Sequence, residues 1–274
     1  MREPRLARAK SIAVVAIIPA RYASTRFPGK PLAIIGNRPM IQHVYENTSK
    51  ASGLDRVLVA TDDLRIFRAV RDFGGEAVLT SRTHLNGTDR LAEVAARIKS
   101  TWVVNVQGDL PFIRPQTIRR ILRPLRLNPS ILMATAKTPI YHRQEWINPN
   151  VVKVVTDRRG FALYFSRAPI PYRQEPTRKA NSRNSGVRPQ GAKLWGYRHL
   201  GIYAYRRDFL LRFSRLRPTA LERSEGLEQL RALAYGYRIW VSDVEETSVE
   251  VNTPGDLAEA EMYWRRGGVE RKNG

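Results

Sequence analysis

A cation-rich loop follows the first apolar segment of the chain, in the stretch AIIPARYASTRFPGKPL at residues 16–32. It holds cations and hydroxyls but no acid, at Arg21, Ser24, Thr25, Arg26 and Lys30. Cationic side chains and backbone N–H groups near Gly29 could surround a triphosphate. The spacing is neither GxGxxG nor GxxxxGK[ST], so dinucleotide-binding and Walker loops are excluded. The stretch predicts a phosphate-binding loop of another kind, and a solvated basic loop is the alternative.

Alternating strands and helices must position this loop. Buried apolar strands are predicted at 12–18, 56–61, 76–80 and 102–109, and helices at 39–52, 62–73 and 88–100. This alternation is typical of βαβ units, in which a mostly parallel sheet is covered by helices on both faces. Ligands of such sheets bind beyond the carboxyl ends of the strands, where the loop begins.

The second half of the chain has a different pattern. It predicts a hairpin at 150–166 with its turn at 157–160, strands at 198–206 and 237–244, and helices at 223–236 and 253–266. We therefore predict an α/β fold with a Rossmann-like, mostly parallel sheet, helices on both faces and a smaller β-rich lobe or hairpin region. The predicted organisation is a basic tail at 1–11, a single domain at 12–266 with the lobe at about 140–206, and a tail at 267–274.

Composition limits the functional classes. The 274 residues include no cysteine, which excludes disulfides and thiolate metal sites, and the apolar run at 12–18 is too short to span a bilayer. We expect no membrane span and a cytoplasmic protein. The formal charge of +22 would favour polyanions, most of all at the basic loop 173–197. No nucleic-acid-binding motif accompanies this charge, so a nucleic-acid partner is not expected, although a basic nucleic-acid-binding protein is an alternative.

Nine collinear blocks carry a resemblance to a known family. They are IIPARYASTRFPGKPL, ATDD, HLNGTDRLAE, VNVQGDLP, NPNVVKVV, ALYFSRAPIP, RHLGIYAYR, LEQLRAL and VNTPGDL. In this order they resemble the 3-deoxy-manno-octulosonate (Kdo) cytidylyltransferases, or CMP-Kdo synthetases, over roughly residues 12–262.

The resemblance implies a reaction, partners and site residues. The family transfers CMP from CTP to the anomeric hydroxyl of an eight-carbon acid sugar with Mg²⁺ and releases pyrophosphate, for lipopolysaccharide synthesis, as a homodimer. The implied CTP-binding residues are Ala20, Arg21, Ser24, Lys30, Asn86, Gly87 and Gln107, with Lys30, Arg21 and Asp109 as catalytic residues. The implied sugar-binding residues are Arg90, Gln107, His199, Tyr203, Glu225 and Gln229. On spacing alone, Asn86–Gly87 would be a simple turn, and Glu225 and Gln229 would share one solvated helix face.

Two positions depart from the family pattern near the implied metal site. Asp109 is one implied Mg²⁺ ligand, but Asn252 stands where the family has the second aspartate. Glu250 lies two residues earlier, on the same side of an extended segment, and is a candidate for the missing carboxylate. Leu110 stands where the family has glutamate, which we expect to reduce the negative charge near the metal. An altered sugar acid, such as an amino analogue of Kdo, and weakened catalysis are therefore alternatives.

Overall fold

A mixed sheet forms the centre of the fold in the computed structural model, which describes residues 13–23, 27–84, 86–174, 194–245 and 250–267. The strands are β1 (Val14–Ala20), β2 (Ile34–Ile35), β3 (Arg38–Pro39), β4 (Arg56–Thr61), β5 (Ala77–Leu79), β6 (Trp102–Asn105), β7 (Met133–Ile140), β8 (Lys153–Thr156), β9 (Ala162–Ser166), β10 (Gly196–Arg206) and β11 (Ile239–Asp243). The helices are α1 (Met40–Ser49), α2 (Leu64–Asp72), α3 (Gly87–Arg97), α4 (Pro115–Leu127), α5 (Arg143–Ile147), α6 (Arg207–Phe213), α7 (Ala220–Glu225), α8 (Gln229–Ala234) and α9 (Pro254–Arg265).

The main sheet has the order β11-β7-β10-β6-β1-β4-β5. β1 pairs in parallel with β4 and with β6, and β4 pairs in parallel with β5. β7 and β11 are also parallel, whereas β10 is antiparallel to both β6 and β7. The predicted α/β fold with a mostly parallel sheet is therefore confirmed. The short strands β2 and β3 form a separate two-stranded antiparallel sheet.

β1 is buried on both faces, as its unbroken apolar sequence predicts. Ala16 and Ile18 lie in one core cluster, and Val15 and Ile17 in the cluster on the opposite face. Each fully buried isoleucine contributes about 2 kcal/mol of transfer free energy. This two-sided burial fixes the end of β1, from which the cation-rich loop departs.

β6 ends earlier than the sequence predicts. The strand stops at Asn105, whereas the apolar pattern suggested continuation to residue 109. Gly108 explains the change of direction, because a Cβ atom there would lie 2.9 Å from the carbonyl oxygen of Pro19. Only glycine lets the backbone cross the end of β1 this closely. The crossing carries Asp109 to the carboxyl end of the sheet.

The predicted hairpin is confirmed as β8 and β9. Its turn is closed by a hydrogen bond from Gly160 N to Asp157 O, 3.1 Å long. The hairpin is continuous with the main sheet, since Lys153 of β8 pairs with Arg198 of β10. In the described ranges we find no helix with the length and apolar character needed to cross a membrane.

The single helix predicted at 223–236 is wrong. The chain forms α7 and α8 instead, and they are separated at Gly226, which adopts a left-handed conformation with φ of 61°. Glu225 ends the first helix and Gln229 begins the second, so the two residues do not share a helix face.

Candidate active site

Several predicted site residues gather around the end of β1 at the carboxyl edge of the sheet, and this region is called the cleft. Gly87 lies beside Pro19 with room for an ordinary contact, since a Cβ atom there would be 3.5 Å from the proline ring. Gly108 approaches Pro19 from another side. Ala20, Asn86, Gly87 and the segment leading to Asp109 are thus brought together, as the sequence predicts.

Lys30 connects the cation-rich loop to Asp109. Its Nζ atom donates a hydrogen bond to Asp109 Oδ2 at 2.8 Å and a longer one to Asn252 Oδ1 at 3.4 Å. Both side chains of the ion pair are largely shielded from solvent, with 16% and 20% exposure. Two of the predicted catalytic residues, Lys30 and Asp109, therefore form one pair, next to Asn252, the second predicted metal ligand.

A tight turn positions Lys30. Gly29 has φ of 72°, a left-handed conformation that favours glycine, and its N–H donates to Tyr22 O at 2.9 Å. The Tyr22 ring in turn lies under the guanidinium of Arg65, 3.3 Å from the ring centroid to Cζ. Arg21 is exposed immediately before this turn. The predicted ligand Ser24 lies outside the described residues.

The donor set around Lys30 suits Mg²⁺. The Asp109 carboxylate and the Asn252 amide oxygen are hard ligands, and the Lys30 ammonium already occupies the place of a cation between them. Among the described residues, no three Asp, Glu or His side chains are grouped to hold a metal. Mg²⁺ is commonly held by one or two carboxylates and completed by substrate phosphates, so these residues fit the ion.

Glu250 lies at the edge of the same group. Its Oε1 atom accepts a hydrogen bond of 2.8 Å from Asn252 Nδ2. Loss of hydration around its carboxyl and the nearby Asp109 charge raise the pKa of Glu250. Since the residue is exposed as a whole, water screens part of this effect.

The side chain of Leu110 packs into the hydrophobic core. The side chain is 6% exposed and belongs to the hydrophobic core cluster that includes Ile18 and Ile113. The lower negative charge expected near the metal from this leucine stays a prediction, since the structure shows only that the Leu110 side chain packs into the core.

Asn86 and Arg90 are held by the start of α3. Asn86 is the N-cap of this helix, and its Oδ1 atom accepts from Asp89 N at 2.8 Å, so the cap does not use the amide N–H₂ group. Arg90 is almost fully buried, and its guanidinium donates to Asp62 at 2.9 Å and to the Thr80 hydroxyl. A role for Arg90 in sugar binding stays a prediction.

His199 and Tyr203 lie side by side on β10, as predicted. Their ring centroids are 5.4 Å apart, and both side chains are buried. The intervening Gly201 faces Gln107, whose Cγ atom would lie 3.8 Å from a Cβ atom at that position. Gln107, His199 and Tyr203, three predicted sugar-binding residues, thus lie around Gly201.

Burial keeps the His199 ring neutral. Desolvation and the neighbouring Arg198 charge lower the pKa of His199 to about 3. The Thr135 hydroxyl donates to the carbonyls of Leu200 and Ile202, so it accepts from His199 Nε2, 2.9 Å away. The proton is therefore on Nε2, and Nδ1 is an acceptor.

Burial also raises the pKa of Tyr203 well above its ordinary value, so its hydroxyl stays protonated.

Glu225 connects α7 to the end of β9. Its carboxylate accepts from Ser166 Oγ at 2.6 Å and from Arg167 N at 2.9 Å. Gln229 is 5% exposed at the start of α8. The contacts of Glu225 assign it a bracing role that the sequence pattern did not indicate, and sugar binding by either residue stays a prediction.

Three polar residues next to the cleft were not singled out from the sequence. Glu228 accepts from Thr88 Oγ1 at 2.6 Å, and loss of hydration raises the pKa of its carboxyl. Asp62 holds Arg90, and Asn105 ends β6 with its Oδ1 atom buried and without a described partner. All three lie inside the blocks ATDD, VNVQGDLP and LEQLRAL, so the signal for them was their place within these blocks.

Comparison with known proteins places this geometry in a family. A family model described as cytidylyltransferase matches residues 15–239. The 3-deoxy-manno-octulosonate cytidylyltransferase of Syntrophotalea carbinolica is 54% identical over 254 residues, which is 93% of this chain and 99% of the relative. The enzyme of the same name from Geobacter sulfurreducens is 53% identical over 244 residues, 89% of this chain and 96% of the relative.

Solved structures agree with these relatives. A structure of CMP:2-keto-3-deoxy-manno-octonic acid synthetase complexed with CTP has a TM-score of 0.82 and 41% identity, and the match covers 93% of this chain and 99% of that one. The 4-diphosphocytidyl-2C-methyl-D-erythritol synthase of Anaerococcus prevotii shares only the fold, with a TM-score of 0.58 and 14% identity over 93% of this chain and 97% of that one.

Proposed function

The chain belongs to the 3-deoxy-manno-octulosonate cytidylyltransferase family, and we propose that it transfers CMP from CTP to the anomeric hydroxyl of Kdo and releases pyrophosphate. The observation that carries the proposal is the Lys30–Asp109 pair beside Asn252 at the carboxyl end of the sheet. An ammonium for phosphate oxygens and a carboxylate for a metal are the two opposite charges that nucleotidyl transfer needs at one point.

The roles proposed on the CTP side follow from charge and position. The anomeric oxygen attacks the α-phosphorus, the bond to pyrophosphate breaks, and Lys30 with Arg21 neutralises the leaving group. The backbone of Ala20 and the start of α3 at Asn86–Gly87, which lies beside Pro19, are proposed to face the base. Asp109 and Asn252 would hold Mg²⁺, which when bound supplies charge stabilisation at the phosphate oxygens.

The proposed sugar side is the surface around Gly201. Gln107 and the Tyr203 hydroxyl suit the hydroxyl groups of a sugar, and neutral His199 can only accept at Nδ1. The cationic partner for the sugar carboxylate is proposed to be Arg90, shared with Asp62. Gln229 completes the polar lining, while Glu225 fixes the end of β9.

Several properties remain predictions that the family resemblance supports. They are dependence on Mg²⁺, assembly as a homodimer, a cytoplasmic location and a place in lipopolysaccharide synthesis. Nucleic-acid binding is not part of the proposed function, since the matched residues serve a nucleotide and a sugar acid.

Pyrophosphate release tests the function directly. With CTP, Kdo and Mg²⁺, we expect release that requires all three components and stops on addition of EDTA. Lys30→Met should lower kcat about a hundredfold or more, because one preorganised charge at the leaving group is lost. The matched control is Lys99→Met, which removes an exposed ammonium near the amino end of β6 and should leave kcat unchanged.

The same assay separates the alternatives. Release that occurs with an amino analogue of Kdo but not with Kdo would assign a different sugar acid to the same site. The absence of release with either sugar acid would contradict the proposed reaction.

A further inference from the structure

Asn252 and Glu250 are two positions, two residues apart, at which this chain differs from the pattern of the family that it resembles. The chain has an amide where the family has the second metal carboxylate, and it has a carboxylate two residues upstream. In the structure the two side chains are hydrogen-bonded to each other, from Asn252 Nδ2 to Glu250 Oε1 at 2.8 Å. The carboxylates of Asp109 and Glu250 are thus linked through the side chains of Lys30 and Asn252.

The contacts on both sides of Asn252 fix the orientation of its amide. Oδ1 accepts from the Lys30 ammonium, and Nδ2 donates to the Glu250 carboxylate. The reverse orientation would place N–H against an ammonium and oxygen against a carboxylate, so only one orientation satisfies both neighbours. Asn252 therefore connects a cation on one side with an anion on the other.

The backbone holds this segment in place from both ends. Val251 is fully buried, and its N–H donates to Asp109 O at 3.0 Å. Asn252 N donates to Asp256 Oδ2 at 2.8 Å, at the capping box that begins α9. Val251 is buried in the core, whereas the Asn252 side chain contacts Lys30 on one side and Glu250 on the other.

We propose that Asn252 and Glu250 are a matched pair, in which Glu250 supplies the second negative charge of the metal centre and Asn252 holds it in position. This inference rests on the proposed function, in which Asp109 supplies the first negative charge. In this pair Glu250 supplies charge, and Asn252 is the positioning residue.

The pairing explains why an amide occupies position 252. An aspartate there would bring a second carboxylate to hydrogen-bond distance of Glu250, and like charges at that separation repel each other. With a neutral residue at 250, the aspartate would have no such neighbour. The two positions should therefore depend on each other: a change at one position has a different effect when the other is changed as well.

Binding of Mn²⁺ measures this directly, without turnover. Mn²⁺ has similar oxygen preferences to Mg²⁺ and is detected by its electron paramagnetic resonance signal, in the presence of CTP and the absence of sugar. Glu250→Gln should weaken Mn²⁺ binding about tenfold. The double variant Glu250→Gln with Asn252→Asp should recover most of that loss.

The control removes a carboxylate of the same type from the same part of the chain. Glu259 is exposed on α9, and Glu259→Gln should bind Mn²⁺ as the unmodified protein does. The thermal midpoint of each variant, measured without metal, shows whether the fold is retained.

Two results would overturn the inference. One is unchanged Mn²⁺ affinity in Glu250→Gln, and the other is a double variant that binds as weakly as Glu250→Gln. Failure of the proposed function has a separate signature, since it would be an unmodified protein that releases no pyrophosphate from CTP and Kdo while the differences in Mn²⁺ affinity persist.

Discussion

At the residue scale, the chemistry of the cleft depends on which side chains are charged. Lys30 and Asp109 form an ion pair. In the proposed function Lys30 would contact the substrate phosphates and Asp109 the metal, so binding would separate the pair. His199, by contrast, is kept neutral by burial. The sequence could nominate all three from their blocks. It could not show that the Glu225 carboxylate accepts hydrogen bonds from Ser166 and Arg167, because these residues lie 59 and 58 positions away along the chain.

The lowered pKa of His199 predicts a loss of stability in acid. In the unfolded chain the imidazole has a pKa of 6.5, but in the folded chain about 3, so below pH 6.5 only the unfolded state takes up the proton. The stability associated with the neutral ring is therefore fully present above pH 6.5. The free energy of unfolding then decreases as the pH falls from 6.5 towards 3. Between pH 7 and pH 5 the unmodified protein should lose about 2 kcal/mol more than His199→Gln.

Urea denaturation of both proteins at the two pH values checks this expectation. Glutamine keeps a donor for Thr135 but does not titrate, so it isolates the effect of the proton. An identical pH dependence for the two proteins would show that the ring is accessible to protons in the folded state.

At the element scale, Gly226 determines the relation between the two short helices α7 and α8. Its left-handed φ of 61° ends α7, and a Cβ atom would have ample room, since its nearest neighbour, Arg167 Nη2, lies 4.0 Å away. The cost of a substitution is therefore in the backbone alone. Gly226→Ala should lower the free energy of unfolding by about 1 kcal/mol, and Gly226→Asn by less, because asparagine tolerates this conformation.

The order of these two variants is the informative result. Denaturation midpoints of Gly226→Ala and Gly226→Asn should both lie below that of the unmodified protein, with alanine lower. Gly255→Ala is the control, since this glycine lies in the first turn of α9 without a left-handed φ and should be neutral or slightly stabilising. Equal midpoints for all four proteins would show that the break between α7 and α8 does not need a left-handed residue.

The same glycine shows where sequence reasoning fails. Apolar periodicity runs through residues 223–236 without a visible break, so it predicts one helix. A single glycine inside a helical pattern is usually tolerated, and only the contacts of Glu225 with β9 and of Leu227 with the core show that the chain turns there. Likewise, β6 reads as a strand up to residue 109, because the approach of Gly108 to Pro19 is a contact between distant segments.

At the scale of the whole molecule, the parallel half of the sheet was predictable and the central antiparallel strand was not. The alternation of strands and helices up to residue 109 indicates parallel pairing, which the structure confirms. β10 enters between β6 and β7 from far along the chain, and no local pattern encodes that insertion. The carboxyl-edge position of the site follows from the parallel half alone, which is why the sequence could locate the site.

Part of the positive charge of the molecule lies on α4, away from the carboxyl edge of the sheet. Between Asp109 and Glu145 the chain has no acidic residue, and α4 presents exposed arginines there. A cavity of about 310 Å³ lies between α4 and the Ser52–Gly53 turn, and Arg119, Arg123 and Arg126 are among its lining residues. Gly53 precedes β4, so this basic surface lies at the amino edge of the parallel strands, opposite the site.

Substitutions that remove charge from this basic surface should therefore weaken polyanion binding without changing CMP transfer. The double variant Arg119→Gln and Arg123→Gln should leave CMP transfer unchanged but elute from heparin at lower salt, and the slope of log affinity for duplex DNA against log salt should decrease by about two. The control Arg212→Gln with Arg215→Gln removes the same charge from another exposed surface, outside this cavity. If both double variants changed the salt slope equally, the attraction would come from net charge alone, whereas a loss of CMP transfer in the first would mean that α4 acts on the cleft through the sheet.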